Sequence, residues 1–468
     1  MSFCYRPLRD IYQQLRTGQL SVEALFEEAL SRHEHTGQQL NAYKIWAPDF
    51  ARQQVRAATA AFQAGADCGP LQGIPVSVKD HFGIPELPTF AGTVRELPEK
   101  FRQQGPLITR LRQQLAVIPG KTHAVELAFG GIGLNNHWGT PRNPWDATVF
   151  RVPGGSSSGA GVSLWEGSAF LALGTDTGGS VRIPASMTGT VGLKTSAGRW
   201  SLDGIVPLST TLDTPGILAR SVDDLIIGFA ALDPAWGQLA ALEDALPNLD
   251  SSDLHIGIAD GPMWDHCEPG VVAVVKAALD ELAAAGARLS PLPLPEAAEA
   301  QVMLRQGSVV SAECDAFVAS ELPEWRELLD PIVTLRIAEG GTIPARDYVQ
   351  RQWRLRELAR RADAKLQAVQ VIAAPTLPLS PPRLDEVNTV AGYRPRNGAA
   401  LSNTCVGNML GLCGISIPAG LDQNAMPAGL MLLARHGQEE TLLAVARAIE
   451  RTLGTPVQRL GMPPLSSS

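Results

Sequence analysis

Two segments rich in glycine and serine, separated by a short apolar run, constrain this chain more than any other feature. They are residues 153–159 and 174–185, and the apolar run 169–173 leads directly into the second. Glycine lets the backbone adopt positive φ and approach a ligand closely, and a serine hydroxyl becomes a nucleophile when a base removes its proton. A purely structural turn needs few residues of this kind. We therefore interpret the region 153–185 as an active site.

Apolar runs typical of strands alternate with helical patterns along most of the chain. Strands are predicted at residues 74–78, 117–118, 169–173, 254–259, 371–374, 414–418 and 430–433. Helices are predicted between them, at residues 107–115, 159–165 and 271–285, and again after them at residues 439–453. This alternation favours an α/β fold with a mostly parallel or mixed sheet, covered on both faces.

Two long helical stretches lie outside this alternation. Helical periodicity dominates residues 1–70, and residues 296–367 are long, charged and helical, which indicates an excursion from the sheet. We expect a single domain over residues 1–468. It is divided into N-terminal helices (1–70), a core (71–295), the helical excursion (296–367) and a return to the core sheet (368–468).

Composition excludes several classes of function. The 39 basic and 47 acidic residues give a net charge of −8 with no block of basic residues, so nucleic acid is not expected as the main partner. The six cysteines form no C-x-x-C pair and are expected to be free thiols of a cytoplasmic protein. No run of 18 apolar residues predicts a membrane span. A homodimer is the common default among oligomers, and the sequence does not decide the oligomeric state.

Motifs for cofactors and metals are incomplete. Lys121 lies in a Gly-Lys-Thr triplet that follows a predicted strand, but position 115, where a phosphate loop requires glycine, is Leu115. His33 and His35 are two residues apart, so they point to different sides of a helix and are a poor metal pair. The other histidines are scattered and are expected at the surface or in hydrogen bonds. We expect no metal and no organic cofactor.

Each glycine- and serine-rich segment offers a nucleophile. Residues 155–159 match the G-x-S-x-G elbow of α/β-hydrolases with Ser157 as nucleophile, but that motif requires a preceding strand. Arg151 and Pro153 make residues 146–153 a poor strand. In the second segment Ser180 follows an apolar strand, and the backbone N–H groups of residues 177–180 can form an oxyanion hole. The second hypothesis is favoured, and the first stays open.

A base must accompany either serine. No histidine lies near the two segments in sequence, so Lys79, at the end of the predicted strand 74–78, is the candidate. Most lysines are solvated and charged, but one held among hydroxyls and apolar strands has a lowered pKa and can act as a base. Ser156 could then relay a proton between Lys79 and Ser180.

Three blocks together resemble the amidase signature family, which includes fatty acid amide hydrolase, bacterial amidases and the A subunit of glutamyl-tRNA amidotransferase. The blocks are residues 73–80, 153–159 and 174–185. Weaker similarity extends over 189–194, 211–216, 219–225, 373–376 and 427–430, so the resemblance covers most of the chain after residue 65 except 296–367. It implies a large, twisted, mixed central sheet with helices on both faces.

The resemblance also implies roles for individual residues. Ser180 corresponds to the nucleophile, Ser156 to the serine with a cis peptide bond, and Lys79 to the base. The matching oxyanion-hole residues are Thr177, Gly178, Gly179 and Ser180; the residues that brace the loops are Ser157, Asp176 and Arg182; and the acyl pocket includes Ala128 and Phe129. With Phe129, the nearby Ile132 and Trp138 suggest an apolar, even aryl, acyl group.

The implied reaction is hydrolysis of a small-molecule amide, with esters and carbamates as side substrates. Two alternatives come from other classes of protein: the catalytic A subunit of a tRNA-dependent amidotransferase, and a non-catalytic protein on the same fold. The dipeptide His123-Ala124 stands where the tRNA-dependent subunits have Asn-Met, and this difference disfavours the amidotransferase.

Overall fold

Eleven strands form one sheet in the computed structural model, which describes residues 2–306 and 309–466. The strands are β1 (Tyr43–Trp46), β2 (Val76–Lys79), β3 (Gly120–Thr122), β4 (Leu171–Asp176), β5 (Val191–Lys194), β6 (Thr214–Ala219), β7 (His255–Ala259), β8 (Arg288–Leu292), β9 (Val371–Pro375), β10 (Cys413–Leu421) and β11 (Pro427–Ala434). Their spatial order is β1-β3-β2-β4-β6-β5-β10-β11-β9-β7-β8. Parallel pairs near the two ends flank an antiparallel centre, so the sheet is mixed as predicted.

Sixteen α-helices surround the sheet within the described residues. They are α1 (Leu8–Arg16), α2 (Val22–Leu40), α3 (Pro48–Gln63), α4 (Pro106–Gln113), α5 (Ala160–Glu166), α6 (Arg182–Thr188), α7 (Val222–Leu232), α8 (Leu239–Ala245), α9 (Pro269–Ala284), α10 (Pro295–Arg305), α11 (Val309–Glu321), α12 (Pro331–Gly341), α13 (Ala345–Leu366), α14 (Val390–Met409), α15 (Glu439–Leu453) and α16 (Pro456–Leu460). None of these helices is both long and apolar enough to cross a bilayer.

Both faces of the sheet are buried, which explains why its strands are continuous apolar runs. In β11, Leu430 and Leu432 pack into one hydrophobic cluster, whereas Met431 and Leu433 pack into another. Successive side chains of a strand point to opposite faces, so these two clusters are the two sides of the sheet. The first contains residues of α7, α9 and α15, and the second contains residues of α10–α14.

The active-site segments lie at one edge of the sheet because β2 and β4 are parallel neighbours. Val78 is in register with Leu173, so the carboxyl ends of the two strands meet. Lys79 ends β2 and Asp176 ends β4. The segment 177–181 then leads into α6. Residues 153–159 precede α5, so both glycine- and serine-rich segments lead into short helices beside this edge.

Some predicted strands were misplaced. Residues 117–118 form no strand; Val117 makes only an isolated bridge to Pro75, and the strand is β3, three residues later. The predicted strand 169–173 begins late and runs on to Asp176, because β6 pairs with it as far as the Asp176–Thr214 register. The N-terminal region is not all helix, since it contributes β1 to the sheet. Strands β5, β6 and β8 were not predicted.

Residues 295–366 form the predicted helical excursion as α10–α13, with Gly307 and Ser308 outside the described residues. Its buried side chains pack on the sheet face that carries Met431 and Leu433. The excursion therefore lies over the same edge of the molecule as the pocket described below. All six cysteines fall in the described part of the chain and are free thiols.

Candidate active site

Lys79 is completely buried at the end of β2, and its ammonium contacts hydroxyls. Its Nζ donates to Ser156 Oγ at 2.8 Å and to Thr175 Oγ1 at 2.6 Å. Burial lowers the pKa of Lys79 to about 7, although the negative charges of Asp213 and Asp176 act in the opposite direction. Desolvation disfavours the charged form of a lysine, so a large fraction of Lys79 is neutral near pH 7. A neutral amine at this position can accept a proton from Ser156.

Ser156 is held in place by its backbone. The peptide bond between Gly155 and Ser156 is cis, the Ser156 carbonyl accepts a hydrogen bond from Val125 N–H at 3.0 Å, and the side chain is fully buried. A Cβ on Gly155 would lie 2.8 Å from Gly133 Cα, so two stretches of backbone approach here as only glycine permits. This packing fixes the hydroxyl of Ser156 against Lys79.

Ser157 braces the two segments against each other. Its N–H donates to the Ser180 carbonyl at 3.3 Å, and its hydroxyl donates to the Thr175 carbonyl at 3.4 Å. The side chain is fully buried and does not line the pocket that contains Ser180. Apart from a single bridge at Arg151, no strand precedes Gly155 in residues 141–154. The geometry therefore differs from the nucleophile elbow that G-x-S-x-G suggested.

Asp176 and Arg182 organise the second segment from inside the protein. The carboxylate of Asp176 accepts hydrogen bonds from Gly179 N–H at 2.7 Å, Val181 N–H at 3.1 Å and Arg182 Nη2 at 2.9 Å. Burial alone raises the pKa of Asp176, but the charge and hydrogen bonds of Arg182 outweigh it and lower the pKa to about 2. The ionised carboxylate thus fixes the turn that carries Ser180.

Three backbone donors remain around Ser180. The Gly179 N–H is occupied by Asp176, which leaves it out of the predicted oxyanion hole. Within the described residues, the N–H groups of Thr177, Gly178 and Ser180 make no hydrogen bond, and all three residues line one cavity, the inner pocket. The hydroxyl of Ser180 is not hydrogen-bonded to Ser156 in this part of the chain; the two segments meet through the Ser157–Ser180 backbone contact.

The inner pocket has apolar walls next to Ser180. Ala128 and Phe129 line it as expected, together with side chains of the 208–212 loop, α11 and α14. Ile132 and Trp138 do not line it, which corrects their expected role. Ile132 is buried in another hydrophobic cluster, and Trp138 packs over Lys44.

The Ala128–Phe129 wall belongs to a loop with unusual backbone conformation. Leu127 and Ala128 have φ angles of 49° and 58°, a region that residues with side chains seldom adopt. Glu126 anchors the loop, since its carboxyl group bonds His137 Nε2 at 2.9 Å and Asp330 N–H at 2.8 Å. Burial raises the pKa of Glu126 to about 8. The pocket wall is therefore tied to the start of α12.

Asp213 was not predicted as a site residue, although residues 211–216 belong to a weaker block of the family resemblance. It accepts a hydrogen bond from Thr177 Oγ1 at 2.5 Å and from the N–H groups of Leu208 and Ser209 at 2.9 and 3.0 Å. Burial raises the pKa of Asp213 to about 6. Its charge also acts on Lys79, so Asp213 links the base to the segment that carries Ser180.

Two residues of α14 were also missed, and no sequence signal could have identified them. Thr404 Oγ1 donates to the Gly178 carbonyl at 2.6 Å, and Asn408 Nδ2 donates to Asp176 Oδ1 at 2.9 Å. They lie on one face of the helix because they are four residues apart. The helix thus supports the segment 176–182 from more than 200 residues away in sequence.

Other polar clusters are not arranged as ligand sets. Within residues 2–306 and 309–466, no group of three His, Cys, Asp or Glu side chains could hold a metal ion. His81 differs from the sequence expectation, because it is fully buried and makes no side-chain hydrogen bond in the described part of the chain. Burial lowers its pKa well below the usual value, so the ring is neutral.

Comparisons with known proteins agree with this architecture. The profile of the family described as Amidase matches residues 24–443. The chain is 44% identical to 2-amino-5-chloromuconic acid deaminase of Comamonas testosteroni, over 99% of this chain and 100% of that protein. It is 34% identical to an amidase of Pseudomonas putida, over 95% of each chain. A crystal structure of an amidase superposes with a TM-score of 0.85 at 30% identity, covering 96% of this chain and 100% of that one.

Proposed function

We propose that this chain, which belongs to the amidase family and is a hydrolase of amide C–N bonds, carries out that reaction through an acyl-enzyme on Ser180. The observation that carries the proposal is the contact of 2.8 Å between Lys79 Nζ and Ser156 Oγ inside a fully buried site. It provides a base with a pKa near neutrality beside a hydroxyl that can relay a proton.

In the first half of the reaction, neutral Lys79 accepts the proton of Ser156, and Ser156 accepts the proton of Ser180. The oxygen of Ser180 then attacks the carbonyl carbon of the amide. Negative charge develops on the carbonyl oxygen, and the free N–H groups of Thr177, Gly178 and Ser180 are the donors available to stabilise it. One such donor typically accounts for about 3 kcal/mol of transition-state stabilisation.

In the second half, the tetrahedral intermediate collapses and the C–N bond breaks. Ser156 returns a proton to the leaving nitrogen and is reprotonated by the Lys79 ammonium. This step matters more for amides than for esters, because an amine leaves poorly without a proton. Water then attacks the ester of Ser180, with the same relay acting as base, and releases the acid. Esters and carbamates can react by the same route, which requires neither a metal nor an organic cofactor.

The relatives limit the substrate to small molecules with a C–N bond to hydrolyse. We infer a free-standing hydrolase, because the chain aligns along its whole length with a deaminase and an amidase. A tRNA-dependent amidotransferase subunit would require a partner chain, tRNA and ATP. Release of ammonia from a primary amide by the purified chain alone supports the hydrolase, and release only in the presence of those components contradicts it.

Paired serine variants test the acyl-enzyme. Ser180→Ala should lower kcat by at least about 10⁴-fold, because the nucleophile is lost. Ser157→Ala removes a bracing hydroxyl only and should retain well over one hundredth of the activity. A fluorophosphonate probe should label Ser180 in the wild type and in Ser157→Ala but not in Ser180→Ala, as read by mass spectrometry of the labelled peptide. Labelling at Ser157 instead would support the elbow hypothesis.

A further inference from the structure

The inner pocket carries positive charge at the end away from the sheet. Arg305, the last residue of α10, and Arg336, in α12, line it together with Ser180. Both arginines also line a larger outer pocket of about 790 Å³, so they stand where the inner pocket opens. The catalytic serine and the two guanidinium groups thus face one continuous space.

Arg336 is held rigidly at this opening. Its Nη1 donates to the Phe129 carbonyl at 2.5 Å, and its guanidinium lies 3.9 Å from the centre of the Phe129 ring. A guanidinium has five N–H donors, so this contact leaves several unused. Arg336 forms no ion pair within the described residues. A preorganised cation with spare donors beside a pocket wall is suited to bind an anion.

Arg305 has even fewer protein partners. In the described part of the chain its side chain makes neither a hydrogen bond nor an ion pair, although its charge acts on Cys405 in the pocket wall. The one carboxylate that lines the inner pocket is Glu339, and it pairs with Arg394 of the outer pocket. The carboxylate of Glu339 therefore already has a cation of its own, and neither Arg305 nor Arg336 has a carboxylate partner.

The walls between Ser180 and the arginines are apolar. Leu208, Leu212, Leu401 and Met409 line this part of the inner pocket. A ligand that matches the whole space has a reacting carbonyl at Ser180, an apolar middle and an anionic end. The acyl group stays bonded to Ser180 through both halves of the proposed reaction. The pocket that contains Ser180 must hold that group.

We propose, on the basis of the proposed hydrolysis at Ser180, that Arg305 and Arg336 bind a carboxylate at the far end of the acyl chain. The substrates are then monoamides of dicarboxylic acids. A planar guanidinium matches a carboxylate in a bidentate geometry, which a lysine or a single polar group does not provide. The relative that acts on a muconic acid, 2-amino-5-chloromuconic acid, is consistent with an anionic substrate.

Matched substrates test this directly. Succinamate, glutaramate and adipamate are compared with butanamide, pentanamide and hexanamide, which have the same chain lengths but no charge. We expect kcat/KM to favour the carboxylated member by at least about tenfold at the best length, as for hydrogen bonds to a charged group. Equal values within every pair would overturn the inference and leave the proposed hydrolysis intact.

Substitution of Arg305 assigns the preference to the pocket. In Arg305→Gln the ratio of kcat/KM for the carboxylated over the neutral substrate should fall about 10- to 100-fold, mainly through KM. Arg305→Lys should lie between the two, because it keeps the charge but loses the fork. The matched control is Arg346→Gln, an exposed residue of α13 that removes the same charge and should leave the ratio unchanged. An unchanged ratio in Arg305→Gln contradicts the assignment.

A binding measurement covers the case in which none of these amides is hydrolysed. Calorimetric titration of the Ser180→Ala protein with adipate and with hexanamide measures recognition without turnover. The inference requires adipate to bind more tightly, and Arg305→Gln in the Ser180→Ala background to weaken adipate binding at least tenfold while the thermal midpoint stays within a few degrees. If adipate binds no better than hexanamide, the arginines do not select a carboxylate, whatever the fate of the proposed function.

Discussion

The sheet edge and the helical excursion build the two sides of one pocket, but they hold their charged groups in opposite ways. At the sheet edge Lys79, Asp176 and Arg182 are fully exposure-free and bonded to neighbours. In the excursion Arg305 and Arg336 face the cavity, and neither has a carboxylate partner within the described residues. Desolvation shifts pKa values at the sheet edge, whereas groups that face the cavity remain available to a ligand. We therefore expect reactivity to reside in the first region and substrate selection in the second.

The largest expected effect tests the reactivity side. Lys79→Met removes the base and leaves an apolar side chain of similar length, so kcat should fall by about 10³-fold, within the usual range for a general base. The protein should stay folded, since the variant does not bury an unpaired charge. Single-turnover kinetics and a thermal melt measure the two effects. A variant that keeps full activity near neutral pH would break the comparison, because reactivity would then not depend on the buried lysine.

Stability gives the next contrast between the regions. Arg182→Met leaves the buried Asp176 without its cation and should lower the free energy of unfolding by about 3–5 kcal/mol. In the excursion, Arg360→Met breaks an exposed pair with Glu357 and should cost less than about 1 kcal/mol. Denaturant unfolding of both variants measures the difference. Equal costs would show that burial is not what separates the two regions.

The pH profile sharpens the role of desolvation. The pKa of Lys79 is lowered to about 7, and the neutral form is the base, so kcat/KM should rise about tenfold from pH 6 to pH 8. The charge of Asp213 opposes the lowering; Asp213→Asn should therefore move the midpoint to lower pH. Asp265→Asn, an exposed carboxylate of the outer pocket, is the control and should leave the midpoint in place. A midpoint that moves to higher pH in Asp213→Asn contradicts the assignment to Lys79.

The smallest effect concerns the contact between the two regions. Glu313 of α11 accepts hydrogen bonds from Ser209 Oγ at 2.5 Å, Thr211 N–H at 3.1 Å and Tyr348 Oη at 2.8 Å. Glu313→Gln weakens this link, so KM should rise a few-fold while kcat changes less than twofold, and limited proteolysis of the excursion should become faster. Glu357→Gln, exposed on α13, should change neither. A large fall in kcat for Glu313→Gln would mean that the excursion also positions the reacting groups.

Local patterns in the sequence were sufficient for the class of fold and for the main polar groups. The alternation of apolar runs and helices predicted a mixed sheet with helices on both faces, which the structure confirms. Strand ends were less predictable. The β4 strand continues through Gly174 and Thr175, which resemble a loop, because hydrogen bonds from β6 override their low strand propensity. Residues 117–118 are apolar enough for a strand but pair only at Val117.

What the sequence determined by itself is the set of reactive groups: a lysine that ends a strand and two segments dense in glycine and serine. Such signals are local, so they can be read from neighbouring residues. Only the tertiary structure decided which groups meet. Lys79 contacts Thr175 from 96 residues away, Thr404 supports Gly178 from 226 residues away, and the arginines of the excursion reach the pocket of Ser180. The pKa of Lys79 follows from the same assembly, because desolvation exists only after the chain has folded around the amine.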